Sequence, residues 1–227
     1  MAHEKILSLL QEKVVLKQTV AELTMSSFKE LKQTLKVVFD ELKSELEKLG
    51  VQVPMEYRER GDFQAEIMIA DDYIVFLLQT NVFTFDSDHE VWKTSYVKDD
   101  ASRSFVGKIY VYNFLSDSFT FNRPNDIGYL IARIFINKDN HFFLEGKRQL
   151  GFMYNDFANA VFDSGSMRKV LESTILYSLD FDSFTPPYET VQQISVGEIQ
   201  ESSLLAKIAT GKRLGFRFQA DTGSRGA

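Results

Sequence analysis

Cysteine is absent from the 227 residues, and this one absence excludes thiol nucleophiles, thiolate metal sites and disulfide staples. No run approaches the roughly 18 apolar residues that a membrane-crossing helix needs. Glu4 and Lys5 open an amphipathic stretch rather than the apolar core of a secretory signal. A soluble, cytoplasmic protein without membrane contact is the expectation. Proline is scarce, at four residues, and neither proline nor glycine occurs between Ile6 and Leu49, so nothing there interrupts a helix. His3, His89 and His141 have no shared spacing suited to zinc. There is no Gly-x-Ser-x-Gly elbow, and Gly211-Lys212 lacks both the earlier glycine and the following hydroxyl of a phosphate loop.

What the chain has in excess is phenylalanine, 20 residues beside nine tyrosines. Rings at this density favour half-buried pleated surfaces and predict a body rich in sheet. The net charge of −6 is unevenly placed: residues 1–49 hold eight lysines and eight acidic residues, so the remaining 18 basic and 24 acidic residues carry all of it. An acidic body lacks the field that drives nonspecific phosphate binding. Nucleic acid is therefore not the favoured partner.

Over the first 49 residues the apolar positions recur at three and four, as a helix with one buried stripe requires. Ile6, Leu9, Leu16, Val20 and Leu23 follow one seven-residue frame, while Phe28, Leu31, Leu35, Val38, Leu42 and Leu49 follow another. The frame slips near Thr24 to Ser27, where Ser27 and Glu30 have the spacing of a capping box. This predicts either two helical segments or one helix kinked near residues 24–27, stopped by Gly50. A lone amphipathic helix is marginal in water, so its stripe needs a cover: the chain's own body, or a second copy in a homodimer. The expected organisation is a helical arm over 1–50, an α+β body over 51–220 and a flexible tail over 221–227.

After Gly50 the period changes from 3.6 to 2. Phe63, Ala65, Ile67 and Ile69 alternate with polar or half-buried positions as a strand does. Tyr73 to Leu78 and Val82 to Phe85 predict one or two more strands. Lys108 to Phe114 with Ser118 to Asn122, and Tyr129 to Ile136 with His141 to Glu145, predict two hairpins, which makes the middle an antiparallel meander. Helices are expected at Asn155 to Phe162, across Met167, Val170, Leu171, Ile175 and Leu179, and at Glu198 to Ala209. A final strand is expected at Leu214, Phe216 and Phe218, with Arg213 and Arg217 on its other face.

Asp126, Glu145 and Lys147 are the best catalytic candidates. If Asn137 to Asn140 form the turn, Ile136 pairs with His141, and Asp126 falls opposite Gly151 on the face of Glu145 and Lys147. Two carboxylates there could hold magnesium and orient a water, the lysine stabilising developing negative charge. That order resembles the active-site signature of restriction-endonuclease-like nucleases, an acidic residue opening one strand and Glu-x-Lys closing the next. The resemblance implies a magnesium-dependent nuclease; the ordinary alternative is an ion pair of Lys147 at a strand end. Asp86-Ser87-Asp88-His89-Glu90 alternates acids like the start of a calcium loop, but Val91 and Val97 stand where that loop needs Gly and Glu. Arg213 and Arg217 could contact an anion or an acidic partner.

With the common catalytic signatures missing, the leading expectation is a non-enzymatic binding or assembly module without a cofactor. It associates with itself, or with another protein, through the N-terminal helix. The alternatives are the nuclease and a small-ligand sensor with an aromatic-lined pocket.

Overall fold

The computed structural model describes residues 2–147, 149–181 and 188–197. The fold is α+β, with a long N-terminal helix, a six-stranded antiparallel sheet and helices after it. The expected helix at 198–209, the strand with Leu214, Phe216 and Phe218, the residues Arg213 and Arg217, and the tail lie outside the described residues.

The N-terminal helix is one rod of three consecutive pieces: α1 (Ala2–Leu9), a π-helical turn (Leu10–Val14) and α2 (Val15–Lys48). It ends as its sequence predicts. Gly50 takes a positive φ of 69°, and the Val51 amide donates to the Leu46 carbonyl, the backward bond of a glycine-terminated helix.

Thr24 to Ser27 lie inside α2, whose N-terminal cap is Val14, so Ser27 and Glu30 begin no helix. The frame slips where the helix lies close against the sheet. Thr24 is buried, its hydroxyl donating to the Val20 carbonyl at 2.6 Å, and it sits over Gly107. A Cβ on that glycine would fall 2.0 Å from the Thr24 Oγ1. Ser27, also buried, donates to the Asn140 side chain at 3.3 Å. Small polar residues replace large apolar ones where the backbones crowd.

The sheet is a meander in chain order: β1 (Met55–Glu59), β2 (Gln64–Ile69), β3 (Asp72–Phe83), β4 (Val106–Leu115), β5 (Tyr129–Asn137) and β6 (Phe142–Gly146). Every neighbouring pair is antiparallel. β2 buries Ala65, Ile67 and Ile69 in the core as its sequence predicts, but Phe63 lies before the strand and is 43% exposed, and Glu66 is buried as well, accepting from Arg60 at 2.6 Å. The two predicted strands after it are a single one, β3, with an irregularity between Gln79 and Phe83.

Between β3 and β4 lie two single 3₁₀ turns and α3 (Ser95–Asp99). The predicted hairpin around Leu115 to Asp117 does not form: the chain coils there into α4 (Ser116–Thr120), and β4 pairs with β3 and β5 instead. Phe119 closes α4 onto the sheet, stacking on Tyr73 at 3.8 Å and meeting Phe114 edge-on at 5.3 Å. The β5–β6 hairpin forms with one more residue in its connection, so that Ile136 faces Phe142 rather than His141. Asn140 takes a positive φ of 57°, and the buried Asn137 side chain accepts from the Asp139 and His141 amides.

Three short or medium helices follow: α5 (Gln149–Met153), α6 (Ser164–Leu179) and α7 (Tyr188–Val191). No helix forms over 155–162, which turns and bridges back through Val161 to His141. α6 starts where the Asp163 side chain accepts from the Ser166 amide and buries Met167, Val170, Leu171 and Ile175.

One face of the sheet carries the main core. Ile67, Phe76, Ile109, Ile134 and Leu144 pack against Phe28, Leu31, Leu35 and Val38 of α2 and the buried side of α6. Burial of this kind contributes about 1.5–3 kcal/mol per large side chain. A smaller aromatic cluster on the other face, with Tyr96, Phe135 and Phe157 buried, covers one end of the sheet.

Candidate functional site

The second frame of the N-terminal stripe belongs to the chain's own core. Phe28, Leu31, Leu35 and Val38 are buried, and Leu42 packs partly buried against them. They cannot serve a partner as well. Leu49, just before the stop, is 74% exposed.

The first frame divides. Val20 is buried, and Leu16 and Leu23 are half-buried, whereas Ile6 is 54% and Leu9 48% exposed. Leu7, Leu10, Val14 and Val15, outside the predicted stripe, are exposed as well. Up to Val15 the rod therefore projects from the body with its apolar side chains exposed, and it is held where Leu16 is half-buried and the lysines lie. Lys13 and Lys17 each place Nζ 5.9 Å from the centre of the Phe105 ring, a cation–π contact of about 0.5–1 kcal/mol at such an exposed site.

The π turn arranges these exposed side chains. In a π turn a residue lies below the one five positions on, not four, and the Val15 amide donates to the Leu10 carbonyl accordingly. Leu10 thus stands beneath Val15 and Leu9 beneath Val14, while ordinary helical spacing puts Ile6 beneath Leu10. A plain α-helix would set Ile6, Leu10 and Val14, each four residues apart, in one row; the π turn shifts that row so that Val15 stands over Leu10. The four-residue spacing was the signal available in the sequence, although Leu10 and Val14 fall outside the seven-residue frame of Ile6, Leu9 and Leu16.

Beside the next part of the rod is an open groove of about 690 Å³ lined by Ala21, Glu22, Met25, Ser26, Lys29, Lys32 and Asp62. Its floor is fixed by Lys32, which is buried and donates to Glu59 Oε2 at 2.7 Å and to the Gly61 carbonyl at 3.1 Å. Tyr57 donates its hydroxyl to the other Glu59 oxygen at 2.7 Å. The hydrogen bonds from Lys32 and then Tyr57 hold the Glu59 carboxyl below its ordinary range. This network clips the β1–β2 turn to α2 and so sets the width of the groove.

Of the predicted catalytic residues, Asp126 and Glu145 are engaged in separate networks. Asp126 accepts from the Ser118 hydroxyl at 2.8 Å and lies 3.9 Å from Arg123, beside α4. Glu145 accepts from Arg133 and faces His89 Nε2 at 3.5 Å. Glu145 and the exposed Lys147 line a shallow groove of about 240 Å³ with Leu130, Ala132, Arg133 and Gly146. The actual register places Glu145 opposite Arg133, which supplies its counter-charge. Among the described residues, no group of three or more histidine or acidic side chains is arranged to hold a metal ion. Of the acidic loop, His89 accepts from the Val91 amide and stacks on Phe85 at 4.5 Å, capping a 3₁₀ turn.

No described helix is long and apolar enough to cross a membrane. Comparison with protein-family models, curated proteins and solved structures gives no match to this chain, so its function has to be read from its own geometry.

Proposed function

We propose that this chain is a non-enzymatic assembly module that forms a homodimer through the projecting first part of its N-terminal helix. The observation carrying this reading is the group of Ile6, Leu10, Val14 and Val15, each between 41 and 54% exposed, gathered on one side of a projecting helix where the π turn sets Val15 over Leu10, while the other apolar stripe of that helix is already buried. Aligned apolar residues on a projecting helix are a surface that water disfavours and a matching surface covers. A second copy supplies that match. The segment carries Glu4 and Glu12 beside Lys5, Lys13 and Lys17, and charges of both signs suit pairing with itself better than attraction to a strongly charged partner. The lack of cysteine fits a reducing, cytoplasmic setting.

Light scattering over a range of concentrations tests the proposal. The expected mass rises toward twice the 26.1 kDa of the chain, while a Leu10→Asp/Val15→Asp variant stays at the single-chain mass with an unchanged circular dichroism spectrum. A wild-type chain that remains monomeric at every concentration would remove the reading.

A further inference from the structure

We propose that the two arms cross antiparallel, with the apolar tip of each helix entering the partner's groove beside Met25. The inference rests on the dimer proposed above and specifies its register.

The groove and the exposed stripe share one helix face. Residues seven and eleven positions apart on an α-helix lie on the same side. Counted from Val14 these are Ala21 and Met25; from Val15 they are Glu22 and Ser26. All four form the helical wall of the groove. The apolar line of the arm therefore runs directly into a concavity with Lys32 at its floor and Asp62 of the β1–β2 turn beside it.

Shape then selects the orientation. In a parallel pair each residue meets its own copy, so groove would face groove and leave an unfilled space, while tip would meet tip. An antiparallel pair with its twofold axis between Val15 and Leu16 sets Ile6 against Met25 and Leu10 against Ala21, a large side chain opposite a small one, as close helix packing requires. Concave meets convex, and the arrangement closes on itself as a dimer because each copy uses the same surface.

Charge agrees with shape. The parallel arrangement would bring the two acidic bodies, which carry the whole net charge of −6, side by side, whereas the antiparallel one sets them at opposite ends.

Because the chain has no cysteine, single introduced thiols report the register directly. Leu10→Cys and Ala21→Cys proteins, mixed in equal amounts and mildly oxidised, should give mainly the mixed disulfide, with little of either homodimer. Dominance of the Leu10→Cys homodimer would overturn the antiparallel register while leaving the dimer standing; a wild-type chain monomeric by light scattering would remove both. A second pair of positions checks the same register: Ile6→Cys and Met25→Cys proteins, mixed and oxidised in the same way, should also give mainly the mixed disulfide. Dominance of the Ile6→Cys homodimer would count against the register.

Discussion

Two lengths of the same helix obey the same pattern and meet different fates. From Val20 to Leu42 the apolar stripe lies on the chain's own sheet, with Phe28, Leu31 and Leu35 fully buried. From Ala2 to Val15 the apolar side chains lie exposed, and the body of the chain holds this outer length only through the half-buried Leu16 and the lysines over Phe105. The difference teaches that periodicity shows only that a face needs cover. What distinguishes the two lengths is the small residues: Thr24 and Ser27 allow the close approach over Gly107, whereas the outer arm has large branched side chains and no small residue opposite a sheet.

If the inner length is truly core, Phe28→Ala should be the most damaging change. It removes a fully buried ring and should lower unfolding free energy by about 3–5 kcal/mol in urea denaturation. A loss under about 1 kcal/mol would mean that the helix is not seated on the sheet. Gly107→Ala sharpens the same point from the other side. The added methyl meets the Thr24 side chain, and a loss of about 1–3 kcal/mol is expected; Thr24→Gly in the same chain should recover part of it.

Glu59→Gln probes the clip that joins the inner length to the β1–β2 turn. Both Glu59 and its surroundings are partly open to solvent, so the loss at neutral pH should be under about 1 kcal/mol. Its carboxyl titrates lower in the folded chain than in the unfolded one. Its contribution is therefore complete above the unfolded value of about 4.3 and fades as pH falls through the folded value. The gap between wild type and variant should close below about pH 4 in denaturation curves; a gap that widens in acid would contradict the assignment. The smallest effect belongs to the outer length. In dilute, monomeric protein, Leu10→Asp/Val15→Asp should change stability by no more than about 0.5 kcal/mol.

Much of the architecture was legible from patterning. The long helix, its stop at Gly50, the core face of β2 and the buried face of α6 all follow from apolar spacing, because burial on one side imposes a period. Ser116 to Thr120 was not legible as a helix: the alternation of Phe119 and Phe121 over Ser118 to Asn122 fits a strand, and only the contacts of Phe119 with Tyr73 and Phe114 settle the coil. The β5–β6 register was missed by one residue because Asn137 spends its side chain on two turn amides rather than on a four-residue loop. That single shift sets Glu145 opposite Arg133. Of the candidate surface, Ile6 and Leu9 were readable as apolar helix positions. Leu10 and Val14, four and eight residues beyond Ile6, share its side of a helix but fall outside its seven-residue frame, and Val15 joins them only because the π turn sets it over Leu10.

Amide hydrogen exchange read along the N-terminal helix, at low and at high protein concentration, tests the division of the rod most directly. The account predicts strong protection from Thr24 to Leu42 at both concentrations, and protection from Leu7 to Thr19 that appears only at the higher one. Equal protection of the outer length at both concentrations, or rapid exchange across Phe28 to Val38, would contradict it.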